Sequence, residues 1–171
     1  MNAMKKILAF ALAGVMALAL LTGCGTGGSA SHKSIAKAMA DYDNGLWNNT
    51  TSITCISSAE LDALLQTWAA DPRFEAVVKA VYTDDALPTI PSGSVPSDKV
   101  VYLYCGKYDK DAGKQAINLN AHSACINTYS GRAPSLADAR QIGLITTSFT
   151  DTNGEKVKVR FAVVVSEIPN P

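Results

Sequence analysis

From Lys156 to Val165 the chain alternates without a break. Val157, Val159, Phe161, Val163 and Val165 form one row, and Lys156, Lys158, Arg160, Ala162 and Val164 form the other. Successive side chains of a strand point to opposite faces, so a period of two commits this segment to a sheet with an apolar face. Asp151-Thr152-Asn153-Gly154 precedes it, and Asn-Gly favours a tight hairpin turn. A partner strand is expected to run back from Phe149 to Ile142. Pairing Thr152 or Thr150 with Glu155 places Ile142 and Leu144 opposite the odd-numbered row either way. Ile145, Ala162 and Val164 are then left to cluster on the reverse face, at the end away from the turn. That end is expected to be covered on both sides.

A sheet with an apolar face needs a second layer, and the earlier part of the chain supplies it. Ile35, Ala38, Met39, Tyr42 and Leu46 recur at helical spacing, as do Leu61, Leu64, Leu65, Trp68 and Ala69, and Phe74, Val77, Val78, Val81 and Tyr82. Ser57-Ser58-Ala59-Glu60 has the form of a capping box before the second helix. Asp71-Pro72 offers a cap and a first-turn proline to the third. Pro88 to Pro96 is read as a connecting loop, because prolines remove donors and fix φ. Beyond it, Val101, Leu103 and Cys105 line one face of a strand whose other face carries Tyr102 and Tyr104. Ile117, Leu119 and Ala121 alternate with Asn118, Asn120 and His122, which predicts another strand after the polar segment Lys107 to Lys114. Pro134-Ser135-Leu136-Ala137-Asp138 predicts a short helix. The expected fold class is α+β: about three N-terminal amphipathic helices packed on one face of an antiparallel sheet of about four strands. Helices first and a meander last is similar to cystatin-like and NTF2-like topologies.

The first 24 residues concern location. Lys5 and Lys6 precede an uncharged apolar run from Ile7 to Leu21, too short for a comfortable membrane span and of the right length for a signal peptide. Leu21-Thr22-Gly23-Cys24 then resembles the lipobox that ends the signal peptide of bacterial lipoproteins. The resemblance implies that Cys24 becomes the lipidated N-terminus of a chain held on the extracytoplasmic face of the cell membrane. Gly25 to Ser31 reads as a flexible tether. The expected division is a signal peptide over 1–23, lipidated cysteine and tether over 24–33, and one globular α+β domain over 34–171. The signal holds Lys5 and Lys6 and no acid. Of 15 basic and 15 acidic side chains, 13 and 15 therefore remain, a net of −2. That gives no reason to expect a nucleic-acid partner.

With Cys24 assigned to lipid, Cys55, Cys105 and Cys125 remain, so at most one disulfide forms. Cys105–Cys125 is the favoured pair, because both fall in the strand-rich half. His122-Ser123-Ala124-Cys125-Ile126-Asn127 sets a cysteine near a histidine, the raw material of a thiolate nucleophile and its base. It is similar to the Ser-His-Gly-Cys-Ile-Arg-like motif of L,D-transpeptidases only at Cys125-Ile126. His122 and Cys125 are also separated by an odd number along an expected strand, which points them to opposite faces. Cys105 shares an apolar strand face and reads as a small core residue. Cys55 sits just before a helix start, and His32 falls in the tether. Asp41 with Asp43, and Asp109 with Asp111, suggest calcium ligands, but Asp, Asn and Gly are also the residues of turns. No cofactor or metal is expected. The expected function is a membrane-anchored, extracytoplasmic, non-catalytic binding or accessory module with an envelope protein or wall partner. The alternatives are a thiol-dependent enzyme using Cys125 or Cys105, and an assembly subunit docking through the apolar patch near Ile145 and Val164.

Overall fold

The structure is a computed structural model, and it describes residues 29–47, 52–90, 98–127 and 133–168. In chain order the elements are α1 (His32–Trp47), β1 (Thr54–Ser57), α2 (Ala59–Ala69), α3 (Phe74–Thr83), β2 (Lys99–Lys107), α4 (Ala112–Asn120), β3 (Ser123–Cys125), β4 (Ala139–Thr150) and β5 (Lys156–Glu167). The class is α+β, with four helices and a five-stranded sheet ordered β1-β4-β5-β2-β3 among the described residues. The sheet is mixed: β1 runs parallel to β4 and the other pairs are antiparallel.

The helices lie on both faces of the sheet, not on one. On the first face α2 supplies Leu61, Leu65 and Trp68, and α3 supplies Phe74, Val77, Val78 and Val81. They pack on Val101, Leu103, Cys105, Phe149, Val159, Phe161 and Val163. On the second face Ile35, Ala36 and Met39 of α1 and Ala116 and Leu119 of α4 cover Tyr104, Ile142, Leu144, Ala162 and Val164. The expected strand over Ile117 to Ala121 is the helix α4. Ala116 and Leu119 are buried three residues apart, while Ile117 is 56 % exposed. The apparent alternation ran over one exposed and one buried apolar residue of a helix. Asp111 caps α4 by accepting from Lys114 N–H at 2.9 Å. Residues 133–137 form no helix; they run irregularly into β4. The strand β1, four residues without an alternating pattern, gave no sequence signal.

The hairpin β4–β5 forms, in a different register. Five residues, 151–155, connect Thr150 to Lys156. Asp151 Oδ1 accepts the N–H groups of Asn153 and Glu155 at 2.9 and 2.8 Å, and Gly154 takes a left-handed φ of 82°. A loop one residue longer than four reverses the parity of every cross-strand pair. Ile142 and Leu144 therefore lie opposite Val164 and Ala162, and Ile145 lies opposite Phe161. The expected reverse-face patch of Ile145 and Val164 is split between two faces, and both residues are buried.

Helix starts shift slightly from expectation. Ser58 Oγ accepts from Leu61 N–H at 3.4 Å, so Ser58 is the cap of α2. Asp71 closes a turn before α3 by accepting from Arg73 N–H, and the helix itself begins at Phe74. The expected core trio of Trp68, Phe74 and Phe161 is one cluster, with the rings of Phe74 and Phe161 edge to face at 5.3 Å.

Candidate functional site

Cys24 lies outside the described residues. Cys55, Cys105 and Cys125 are free thiols, and the expected Cys105–Cys125 disulfide is absent. The sheet explains why. Cys125 stands opposite Tyr102, three residues back along β2 from Cys105, and the odd spacing turns the two thiols to opposite faces. Cys125 Sγ donates instead to Asn127 O at 2.8 Å.

The same register brings together three residues that sequence separation concealed. Cys105 N–H donates to His122 O at 3.1 Å, which extends the β2–β3 ladder and sets Cys105 opposite His122. His122 Nδ1 lies 3.1 Å from Asp84 Oδ2, and its ring packs 5.0 Å from that of Tyr82. Asp84 ends α3 in the left-handed conformation, φ 56°, which aspartate tolerates better than most residues. Cysteine, histidine and aspartate thus follow one another on a single sheet face. Burial, however, pushes the Cys105 thiol up to about 12, with no exposed surface on the residue. A nucleophilic cysteine needs the opposite shift. His122 and Cys125 are separated by the sheet itself, as the odd spacing predicts.

Cys55 lies on β1 beside α1. Burial drives its thiol up to about 11 against the lowering effect of the Arg140 guanidinium, while Asp43 adds to the rise. Arg140 is ion-paired with Asp43 and donates from Nε to Ala137 O. Next to Cys55 a shallow groove of about 250 Å³ is lined by Lys33, Ala36, Cys55, Ile56 and Ser57. It holds one charged side chain and no cluster of polar groups.

The second histidine is not in a tether. His32 opens α1 and its Nδ1 lies 2.9 Å from Asp62 Oδ2. The other carboxylate oxygen of Asp62 accepts from Leu144 N–H at 2.7 Å. Leu144 lies two residues past Ile142, where the pairing of β4 with β1 stops, so the first turn of α2 completes the ladder with a side chain. The acidic pairs of the calcium reading serve locally. Asp41 pairs with Lys37, Asp43 with Arg140, Asp109 accepts from Asp111 N–H, and Asp111 caps α4. Among the described residues no group of His, Cys, Asp and Glu could hold a metal ion.

A fourth cluster was not foreseen. Arg160, 3 % exposed, donates from Nη2 to Ser29 Oγ at 2.7 Å and to Ala30 O at 3.3 Å, while its Nε is buried without a partner. Tyr108 OH donates to Ser29 Oγ at 3.0 Å, and the Tyr108 ring carries Lys158 Nζ at 4.0 Å and the Arg160 guanidinium at 5.2 Å. Ala30 N–H donates to Lys110 O. Burial lowers the pKa of Arg160 from its usual value, and Tyr108 partly offsets this. Gln115, fully buried, holds the approach to this corner by accepting from Asp109 N–H and donating to Lys107 O. Residues 29–33, expected to be tether, are therefore fixed to the domain.

Against protein-family models, curated proteins and solved structures, no match to this chain is found. Among the described residues no helix is long and apolar enough to cross a membrane.

Proposed function

We propose that the chain is a lipoprotein held at the extracytoplasmic face of the cell membrane through Cys24, and that its domain is a non-catalytic binding or accessory module. The observation that carries the reading is Leu21-Thr22-Gly23-Cys24 at the end of an uncharged apolar run. The attachment of Ser29 and Ala30 to Arg160 fits it, because it fixes to the domain a point five residues after the expected lipid. Two acyl chains on one cysteine bury enough methylenes, at about 0.8 kcal/mol each, for stable anchoring. Intact-mass analysis of the mature chain tests this. A diacylglyceryl-modified Cys24 is expected, and Cys24→Ala should leave the membrane fraction. An unmodified N-terminus at another residue refutes the anchor.

The non-catalytic part draws support from the two thiols that burial pushes up to about 11 and about 12. The alternative, a thiol-dependent enzyme, has one observation in its favour: the Cys105–His122–Asp84 succession. Alkylation by iodoacetamide across a pH series separates the two. A cysteine with an apparent pKa below about 7, restored toward the free value of about 8.5 by His122→Ala, would favour the enzyme.

A further inference from the structure

We propose that the open cationic end of the sheet, at the β4–β5 hairpin, binds the anionic lipid headgroups of the leaflet that holds Cys24. The proposal rests on the lipoprotein reading above.

Three basic residues, Lys156, Lys158 and Arg160, occupy consecutive positions on one face of β5. Side chains that repeat every second residue share a face, so the three form a row. Their neighbours on β4 are hydroxyl residues: Ser148 lies opposite Lys158, and Thr146 opposite Arg160. Cross-strand partners of cations are ordinarily well placed to be acids, and here neither the partner of exposed Lys158 nor that of buried Arg160 is one. Among the described residues the ion pairs leave out all three of these cations. Lys156, Lys158 and Thr146 are exposed, so α1 and α4 stop short of this part of the face. Tyr108 extends the platform on the β2 side, beneath Lys158. Of the acids closest in sequence, Asp109 is turned to Asp111 N–H, Asp111 to Lys114 N–H, and Asp151 to Asn153 and Glu155 N–H, while the exposed Glu155 adjoins Lys156 at the end of the turn.

The occupant follows from where Ser29, five residues from Cys24, is held. Ser29 touches both Arg160 and Tyr108. Five Cα steps separate it from Cys24, a reach of at most about 18 Å. A lipid on Cys24 therefore holds this cationic end beside the headgroups, where an anionic surface potential attracts lysine and arginine over roughly a Debye length of about 8 Å.

Lysine footprinting reads this directly. The purified, lipidated chain is reconstituted in vesicles of phosphatidylcholine alone or mixed with phosphatidylglycerol, and acetylated with a water-soluble ester. Lys110, Lys156 and Lys158 should react about five-fold more slowly on the anionic vesicles. Salt at 1 M, where the Debye length is about 3 Å, should remove the protection. Lys79, on α3 across the sheet, should react alike on both. In Lys156→Glu/Lys158→Glu the protection of Lys110 should be lost with the unfolding temperature unchanged. Equal rates on the two vesicles overturn the proposal. Equal protection by inorganic phosphate without vesicles overturns it in favour of a soluble anion. If the mass of the chain shows no lipid, the anchor reading has failed separately. Vesicle flotation of that unlipidated chain then decides the surface: salt-sensitive flotation with phosphatidylglycerol supports it, and none overturns it.

Discussion

Alanine at Gly143 would place a methyl carbon 2.4 Å from the carbonyl carbon of Leu61 and 2.5 Å from its Cβ. Carbon atoms settle at about 3.5–4.0 Å, so α2 would have to withdraw by about 1 Å or more. It is poorly placed to do so. Ser58 N–H donates to Ile142 O at 2.8 Å, Asp62 holds Leu144 N–H, and Leu65 and Trp68 are locked in the core. Overpacking of this kind costs about 1–3 kcal/mol. The loss of unfolded-chain freedom from glycine to alanine returns about 0.4–1 kcal/mol. The net expectation for Gly143→Ala is a destabilisation of about 1–2 kcal/mol. For a domain of this size that lowers the unfolding temperature by roughly 2–8 °C.

Gly45→Ala is the matched control. It lies in α1, exposed, with nothing within 4 Å of the added carbon. Helix propensity favours alanine there by about 0.5–1 kcal/mol, so its unfolding temperature should rise. Thermal unfolding of the two variants beside the parent, followed by circular dichroism, decides the matter. A Gly143→Ala variant as stable as the parent would falsify the claim that the direct seat of α2 on β4 requires glycine. Gly106 offers the mirror case on the opposite face, where the added carbon would meet Asn118 of α4 at 2.3 Å.

Phe161→Ala should cost about 3–5 kcal/mol, because the ring is fully buried and packs edge to face on Phe74; chemical denaturation measures it. Asp62→Ala leaves Leu144 N–H without its acceptor and should cost about 1–3 kcal/mol, whereas Asp62→Asn keeps an acceptor and should cost less. The folded-state pKa of Cys105, pushed up to about 12, lies above its value of 9.0 when unperturbed. The unfolded chain therefore loses this proton first, and stability present below about pH 9 is lost as pH rises toward 12. Urea midpoints from pH 8 upward should fall more steeply for the parent than for Cys105→Ala, and parallel curves would refute the assignment.

Where the pattern was local, the sequence was legible. The faces of β2 and β5, and the stripes of α2 and α3, follow directly from periods of 2 and 3.6. Two errors came from features that periodicity cannot carry. The hairpin register depended on one loop residue, and Asp151 selects the five-residue loop by accepting two backbone N–H groups. The helix α4 was concealed because buried Leu119 was read with exposed Ile117 as an alternating row, while its other buried apolar residue, Ala116, lay outside that row. The strand β1 exists through its parallel pairing with β4, more than 80 residues away, and no local signal marks it. Separations of 30 to 131 residues likewise hid the candidate sites. His122 meets Asp84, His32 meets Asp62, and Arg160 meets Ser29 only through the folded sheet. Sequence reading did supply the separation of His122 from Cys125, since that depends on the parity of one short segment.

The two faces of the sheet are finished unequally, and dimensions explain the inequality. Strands β4 and β5 have 12 residues each, a length of about 40 Å. On the second face α4, with nine residues, spans only about 13 Å and crosses the sheet at Gly106. The helices of that face cover Ile142, Leu144, Ala162 and Val164, and the hairpin projects beyond them. On the first face the apolar row persists into the overhang, where Phe149 and Val159 remain under α3 and Val157 packs against them. The second face turns polar at Arg160, the last position still under cover, and continues with Lys158 and Lys156 in the open. Core packing therefore accounts for one side of the hairpin's length, and solubility alone would accept any polar residues on the other. What it leaves unexplained is the uniform positive sign of the three β5 side chains beside Ser29. The proposed anionic surface within reach of Cys24 would supply a reason for that sign.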